Sequence, residues 1–149
     1  MNDQISLEIM PGHLIRRLNQ LSTSIFQIRM KEGGFDVTSV QFAALSALGS
    51  QPQIDQATLA NMIAYDRATI GDVVKRLVQK GLIERRVDRE DRRARKLCLT
   101  SAGKDLLADL EPVVLALQGE ILSALSEQEH DVFVQLAQKA LLKAESDTG

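Results

Sequence analysis

The chain has 149 residues, 44% hydrophobic and 26% charged. That balance suits one folded domain, or a small domain with extended helices, and is too apolar for a disordered chain. No apolar run approaches the roughly 20 residues needed to span a bilayer. The start, MNDQISLEIMPGH, lacks the pattern of a secretory signal, and the single Cys98 excludes an internal disulfide. A cytoplasmic protein with no membrane partner is expected. The net charge of −2 hides an asymmetry: residues 67–96 hold eleven basic and five acidic side chains, so they carry +6 and the remainder −8.

Pro11 suits the first turn of a helix, where its missing N–H is not needed. Leu14, Leu18, Leu21, Ile25 and Ile28 then recur at steps of four and three. They predict a long amphipathic helix with a heptad-like seam, stopped by Gly33-Gly34. Thr38 with Gln41 three residues later forms a capping-box pattern for a second helix, whose apolar positions are Phe42, Leu45 and Leu48 and whose end is marked by Gly49 and Pro52.

Two short helices follow. Asp55 is a candidate N-cap with Ile54 and Leu59 at hydrophobic-staple spacing, and Asp66 repeats the arrangement with Tyr65 and Ile70. The second of the pair places Ile70, Val73, Val74, Leu77 and Val78 on one face. Gly81 provides a left-handed residue to end it, and Leu82 an apolar contact to close the cap. This is a helix-turn-helix. The face opposite the apolar stripe carries Ala68, Gly71, Asp72, Lys75, Arg76 and Gln79, with Arg67 and Thr69 at the N-terminus.

Residues 82–87 and 96–100 read as two strands, with Leu97 and Leu99 alternating inward and a basic tip between them. A hairpin in this position makes the unit a winged helix. The remainder is helical. Leu106, Leu107, Leu110, Val113, Val114, Leu117 and Ile121 form a seam that Pro112 is expected to interrupt. Ser126 and Glu129 form a further capping box, and Val132, Phe133, Leu136 and Leu141 a last apolar face.

The wide major groove of B-form DNA admits one helix, and the minor groove accepts extended basic side chains. The expected DNA contacts are Arg67, Thr69, Ile70, Asp72, Lys75 and Arg76 on the helix, and Arg86, Arg89, Arg92 and Arg93 on the wing. Double-stranded DNA is thus the expected partner, with phosphate contacts supplying affinity and base contacts specificity. Alone, such a hairpin reads as a solvated loop with weak surface ion pairs; its attachment to a helix-turn-helix favours DNA. Asp88 and Asp91 are expected to brace the arginines.

The stretch IDQATLANMIAYDRATIGDVVKRLVQKGLIERRVDREDRRARKLCLTSAGKDLL resembles the MarR (multiple antibiotic resistance type) family of bacterial transcriptional regulators. The most telling pieces are DRATIGDVVKRLVQKGLIER, the wing DREDRRARKLCLT and the Ser101-Ala102-Gly103 step. The resemblance implies a mainly α fold with a small β wing. In it, residues 35–100 form a winged helix-turn-helix DNA-binding lobe, and residues 1–34 and 101–149 supply helices that form a dimerisation region. It further implies a homodimeric repressor that reads a pseudo-palindromic operator and is released by a small-molecule effector.

The opening PGHLIRRLNQL with DQATLANMIAYDRATIG looks like a subgroup sensing aromatic carboxylic acids. His13, Arg16 and Arg17 lie within one turn and are the ligand candidates, since a guanidinium pairs bidentately with a carboxylate. An exposed face or ion pairs between subunits would explain them equally, and spacing does not choose between the arginines. Cys98, on a wing strand, reads as a buried structural thiol, which disfavours thiol-based redox sensing. A winged-helix module that binds protein or RNA is the remaining alternative. No metal or other cofactor is expected. An enzyme is disfavoured, because His13 and His130 lie at opposite ends of the chain and no phosphate-binding glycine loop occurs.

Overall fold

The computed structural model describes residues 6–63, 65–87, 89–91 and 95–148, with backbone alone for Arg67 and for 145–148. A short 3-10 helix, Leu7–Ile9, precedes α1 (Pro11–Gly33), with Pro11 at its first position. Then come α2 (Ser39–Ser50), α3 (Gln56–Met62), α4 (Arg67–Gln79), the strands β1 (Ile83–Val87) and β2 (Arg95–Leu99), α5 (Ser101–Ile121) and α6 (Glu127–Thr148). The chain is mainly helical with a small antiparallel wing, as its sequence leads one to expect.

The helix starts follow local chemistry. Thr38 Oγ1 accepts from the Gln41 backbone N–H at 3.1 Å while Gln41 Oε1 accepts from Thr38 N–H at 3.2 Å. Ser126 and Glu129 make the same reciprocal pair at 3.2 and 3.0 Å. Asp55 Oδ1 accepts from Thr58 N–H at 2.7 Å. Each bond satisfies a donor that the first turn of a helix leaves unpaired.

The core is aliphatic. Leu45, Leu48, Leu59, Val74, Leu77, Ile83, Leu97, Leu110 and Leu117 are fully buried, drawing on α2, α3, α4, the wing and α5. Ile83 pairs with Leu99 and Val87 with Arg95 across the wing. Ile54 adds a single-residue third strand, accepting from Leu97 N–H at 2.7 Å. The alternation expected of β2 is incomplete, because Cys98 is buried between Leu97 and Leu99. The start of α5 packs back against β2, and the strand is buried on both faces over Leu97–Leu99 while Arg95 stays exposed.

Two further expectations, on Pro112 and Ile70, need correction. α5 runs unbroken through Pro112. A proline inside a helix costs about 3 kcal/mol, but Leu107, Leu110, Val114 and Leu117 on the other face are buried, and each buried leucine or valine contributes about 1.5–3 kcal/mol. Ala108, whose carbonyl loses its donor to Pro112, is exposed and open to water. The heptad seam of α1 enters this core only in part, through Ile25. Phe26 and Met30 are buried, Leu18 and Ile25 half-buried, and Leu14, Leu21 and Ile28 exposed. The helix therefore bears two apolar faces. Ile70, expected among the DNA contacts, is 1% exposed and belongs to the core.

α1 and α5 pack together and are tied by Arg29, whose Nε donates to both carboxylate oxygens of Glu120 at 3.0 and 2.9 Å. Among the described residues α6 packs extensively against no other element. Its Val132, Phe133, Val134, Leu136, Leu141 and Leu142 are exposed.

Candidate nucleic-acid interface

The exposed face of α4 is prepared from beneath. Ile70, Val73, Val74 and Leu77 are buried, which turns Ala68, Asp72, Lys75, Arg76 and Gln79 outward, with Thr69 and Gly71 half-exposed at the margin. Asp72, Lys75, Arg76, Gln79 and Lys80 line one open groove. Lys80 follows Arg76 by four residues, a spacing that places it on this face, although sequence reading did not single it out. The side chain of Arg67 lies outside the described residues.

Both ends of α4 are fixed. At its start Asp66 accepts from Thr69 N–H at 2.8 Å, and the Thr69 hydroxyl donates to both carboxylate oxygens at 2.9 and 2.8 Å. The backbone N–H of Thr69, followed by its hydroxyl, holds the Asp66 carboxyl below its ordinary pKa. At the other end Gly81 has φ +74°, the left-handed conformation that glycine adopts freely. The Gly81 and Leu82 N–H groups then close onto the carbonyls of Val78 and Leu77, both at 3.0 Å.

The junction with α5 is equally close. Thr100 Oγ1 donates to the Gly81 carbonyl at 2.6 Å and accepts from Gly103 N–H at 3.0 Å, while Thr100 N–H donates to the Leu82 carbonyl at 3.0 Å. A Cβ on Gly103 would stand 2.0 Å from that carbonyl oxygen. The Ser101-Ala102-Gly103 step is thus a point of backbone contact.

Arg89 is exposed at the wing tip, as are Glu90 and Asp91. Asp88, Arg92 and Arg93 lie outside the described residues. Arg86 is engaged lower down. Its Nε donates to Glu84 Oε1 at 2.8 Å, and the hydrogen bond to Glu84 is the first cause of its raised pKa. It borders a cavity of about 470 Å³ shared with Leu48, Cys98, Lys104, Leu107 and Glu111, so it faces α5 and not α4. Cys98 is 6% exposed. Burial pushes its thiol up, and Arg86, the next largest influence, opposes this without reversing it. A reactive thiolate needs the opposite shift.

The structure joins two of the three ligand candidates. Arg16 Nη2 lies 2.9 Å from His13 Nδ1. A guanidinium only donates, so Nδ1 must accept and the ring proton sits on Nε2. Arg17, also exposed, is not part of this pair. Further along the same helices, Leu18 and Ser22 of α1, Ile121 of α5 and His130 and Phe133 of α6 bound a cleft of about 460 Å³.

Over 129 residues, 87% of this chain and 93% of the other, the sequence is 32% identical to transcriptional regulator HosA of Escherichia coli O157:H7. The chain belongs to the MarR family. Residues 35–94, spanning α2 to the wing, match that family's model. Among solved structures, BpsR of Bordetella bronchiseptica, whose DNA binding is regulated by 6-hydroxynicotinic acid, superposes with a TM-score of 0.84 at 28% identity, covering 91% of this chain and 95% of that one. A variant of MarR from Escherichia coli complexed with operator DNA superposes with a TM-score of 0.81 at 26% identity, covering 90% and 96%. As a MarR-family member the protein is a transcriptional regulator with a DNA-binding winged helix, and not an enzyme. Among the described residues no helix is long and apolar enough to cross a membrane.

Proposed function

We propose that this regulator is a homodimeric repressor that binds a pseudo-palindromic operator and is released by an aromatic carboxylate. The observation that carries the reading is the pair of uncovered apolar faces, Leu14, Leu21 and Ile28 on α1 and Val132, Leu136 and Leu141 on α6. A second copy presenting the same faces would bury both sets and hold two α4 helices at a fixed spacing, as two half-sites about one turn of DNA apart require.

On DNA, α4 enters the major groove with Arg67, Thr69, Asp72, Lys75 and Arg76, and the wing tip reaches the minor groove with Arg89, Arg92 and Arg93. Arg86, tied to Glu84, acts at the base of the wing. The helix-proximal groups discriminate sequence, and the wing adds affinity common to all duplexes.

For the effector, Arg16 has guanidinium donors beyond the one spent on His13, and His13 Nε2–H offers another, a set suited to a carboxylate. The regulation of BpsR, a structural relative, by an aromatic acid supports this choice of ligand class. Residues 35–100 act as the reading lobe, and residues 1–34 and 101–149 as the dimerisation region.

The test uses the full chain in gel shifts against duplexes selected from a random library, with and without 6-hydroxynicotinic acid and benzoate-type acids. A palindromic consensus, salt-sensitive binding and release by at least one acid are expected. Arg16→Ala or Arg17→Ala should blunt release while sparing DNA affinity. Equal affinity for RNA and random duplex would remove the operator reading, and undiminished release in both arginine variants would remove the ligand site.

A further inference from the structure

The end of α4 is tied to the start of α2 and the connection before it. Lys80, its C-cap, donates from Nζ to the backbone carbonyl of Asp36 at 2.6 Å and to Gln41 Oε1 at 3.3 Å, and stands 3.5 Å from Asp36 Oδ2. An ammonium has three N–H donors and no lone pair. Here three acceptors surround it, two of them 44 residues away in sequence and one 39.

Two of these acceptors are held in place; the third, the Asp36 carboxylate, is fully exposed. Gln41 is 5% exposed, the sole buried polar side chain among the described residues, and its Oε1 already takes part in the capping box with Thr38. The Asp36 carbonyl belongs to the short connection between α1 and α2. Lys80 thus pins the end of α4 to the α1–α2 junction, while Thr100, bonded to Gly81 and Leu82, pins the next residues to the start of α5.

By its place in the groove with Lys75, Arg76 and Gln79, Lys80 reads as one more phosphate contact. Its ammonium, however, is already engaged by acceptors of the protein itself. We propose that Lys80 is a positioning residue: it sets the tilt of α4 and so contributes to the choice among DNA sequences, not to affinity for DNA in general. The proposal rests on α4 entering the major groove.

The geometry makes this lever effective. A helix of 13 residues is about 20 Å long, so a tilt of about 3° at the C-terminal end displaces the N-terminal end by about 1 Å. Hydrogen bonds to base edges weaken steeply over such a shift, whereas a phosphate's Coulomb attraction hardly changes. Loss of the pin would therefore erode discrimination and leave electrostatic affinity in place.

The experiment takes the duplex that the wild-type full chain selects from a random library and a scrambled duplex of the same composition. Affinities of wild type, Lys80→Met and Lys80→Arg are measured on both across a salt series. Lys80→Met should lower the selected-to-scrambled ratio roughly tenfold, the size of losing one base contact, with scrambled-duplex affinity and salt slope unchanged. Lys80→Arg, which keeps N–H donors at that end, should recover most of the ratio. Equal weakening on both duplexes with a salt slope smaller by about 1 would mark a phosphate contact and overturn the proposal. Should methionine prevent folding, Lys80→Gln repeats the test, and an unchanged ratio in the variant that folds likewise overturns it. If the wild type selects no sequence at all, the reading of α4 as a sequence-specific helix fails first and takes the proposal with it. Selection by the wild type with no difference in the variants sinks the positioning role alone.

Discussion

The winged-helix lobe and the helices at the two ends of the chain solve the same problem differently. Within the lobe, α2, α3, α4 and the wing cover one another, and Leu45, Leu59, Val74 and Leu77 have no exposed surface. On α6, Leu136 and Leu141 remain 60% and 61% exposed, and on α1 the regularly spaced Leu14, Leu21 and Ile28 stay open. Contiguous apolar faces of this kind mark a surface that something else covers. The lobe closes its core within one chain, with help from the inner faces of α1 and α5, whereas the outer faces of α1 and α6 are the ones the proposed dimer would cover. The reading surface is built on the lobe, which gives α4 a rigid support.

The strongest way to break this contrast is to charge the open faces. Val132→Asp with Leu136→Asp, one turn apart on α6, should yield a species sedimenting at the 16.4 kDa of one chain. Operator affinity should fall roughly 10²-fold or more, because two linked lobes bind with an effective concentration that a lone lobe lacks. A double variant that sediments as wild type and retains full affinity would show that α6 is not the contact between copies.

The next effect lies where the lobe meets α5. Gly103→Ala places a Cβ against the Leu82 carbonyl oxygen, a backbone atom that cannot rotate away. A loss of about 3 kcal/mol is expected, read as a drop in Tm of about 10 °C for a chain of this length. Gly49→Ala is the control. Its Cβ would meet only the end of the Leu107 side chain, at 2.7 Å, which can move. Comparable losses for the two glycines would mean that the backbone contact at the α4–β1–α5 junction yields as readily as a side chain does.

A third pair of variants compares the cores directly. Leu59→Ala, in the lobe, should cost about 2–5 kcal/mol at every protein concentration. Leu141→Ala should cost less, and its cost should vary with concentration, since in the proposed dimer its burial requires association. Thermal melts over a hundredfold range of concentration separate the two. A cost of Leu141→Ala that does not vary with concentration would argue that the face of α6 is simply solvated.

How much of this was legible beforehand follows the range of the interactions. The capping boxes at Thr38–Gln41 and Ser126–Glu129, the caps at Asp55 and Asp66, and the glycine stop at Gly81 all depend on groups within five residues of one another, so the sequence displays them whole. The Ile54–Leu97 bridge, the Arg29–Glu120 tie and the Lys80 clamp join positions tens of residues apart, and nothing local announces them. Pro112 shows the reverse case, where a correct local preference is outweighed by burial on the far side of the helix. Ile70 sits in an apolar i, i+3, i+4 pattern that placed it in the core, and naming it as a DNA contact set motif position above that pattern. At the wing, charge alone did not separate Arg86, engaged by Glu84, from the exposed Arg89. That distinction depends on which way alternate strand residues face and on what α5 lays against them.

The smallest effect concerns how the lobe holds its reading helix. The Asp66 carboxylate accepts from the Thr69 backbone N–H and hydroxyl, and its pKa is lowered in the folded chain. In the unfolded chain it titrates near the ordinary aspartate value of about 3.9. The cap's contribution is therefore fully present above that value and disappears as pH falls through the lower, folded value. Glu129, bonded to Ser126 at the start of α6, shifts in the same direction. Both ends of the contrast should thus lose a little stability on acidification. Asp66→Asn, which keeps an acceptor for the Thr69 N–H but carries no charge, should flatten the part of the acid profile belonging to α4 and leave the part belonging to α6. The check is denaturant unfolding of wild type and Asp66→Asn from pH 6 downward to about pH 3. If the two curves run parallel throughout, the carboxylate contributes nothing by its charge, and a neutral acceptor caps α4 equally well.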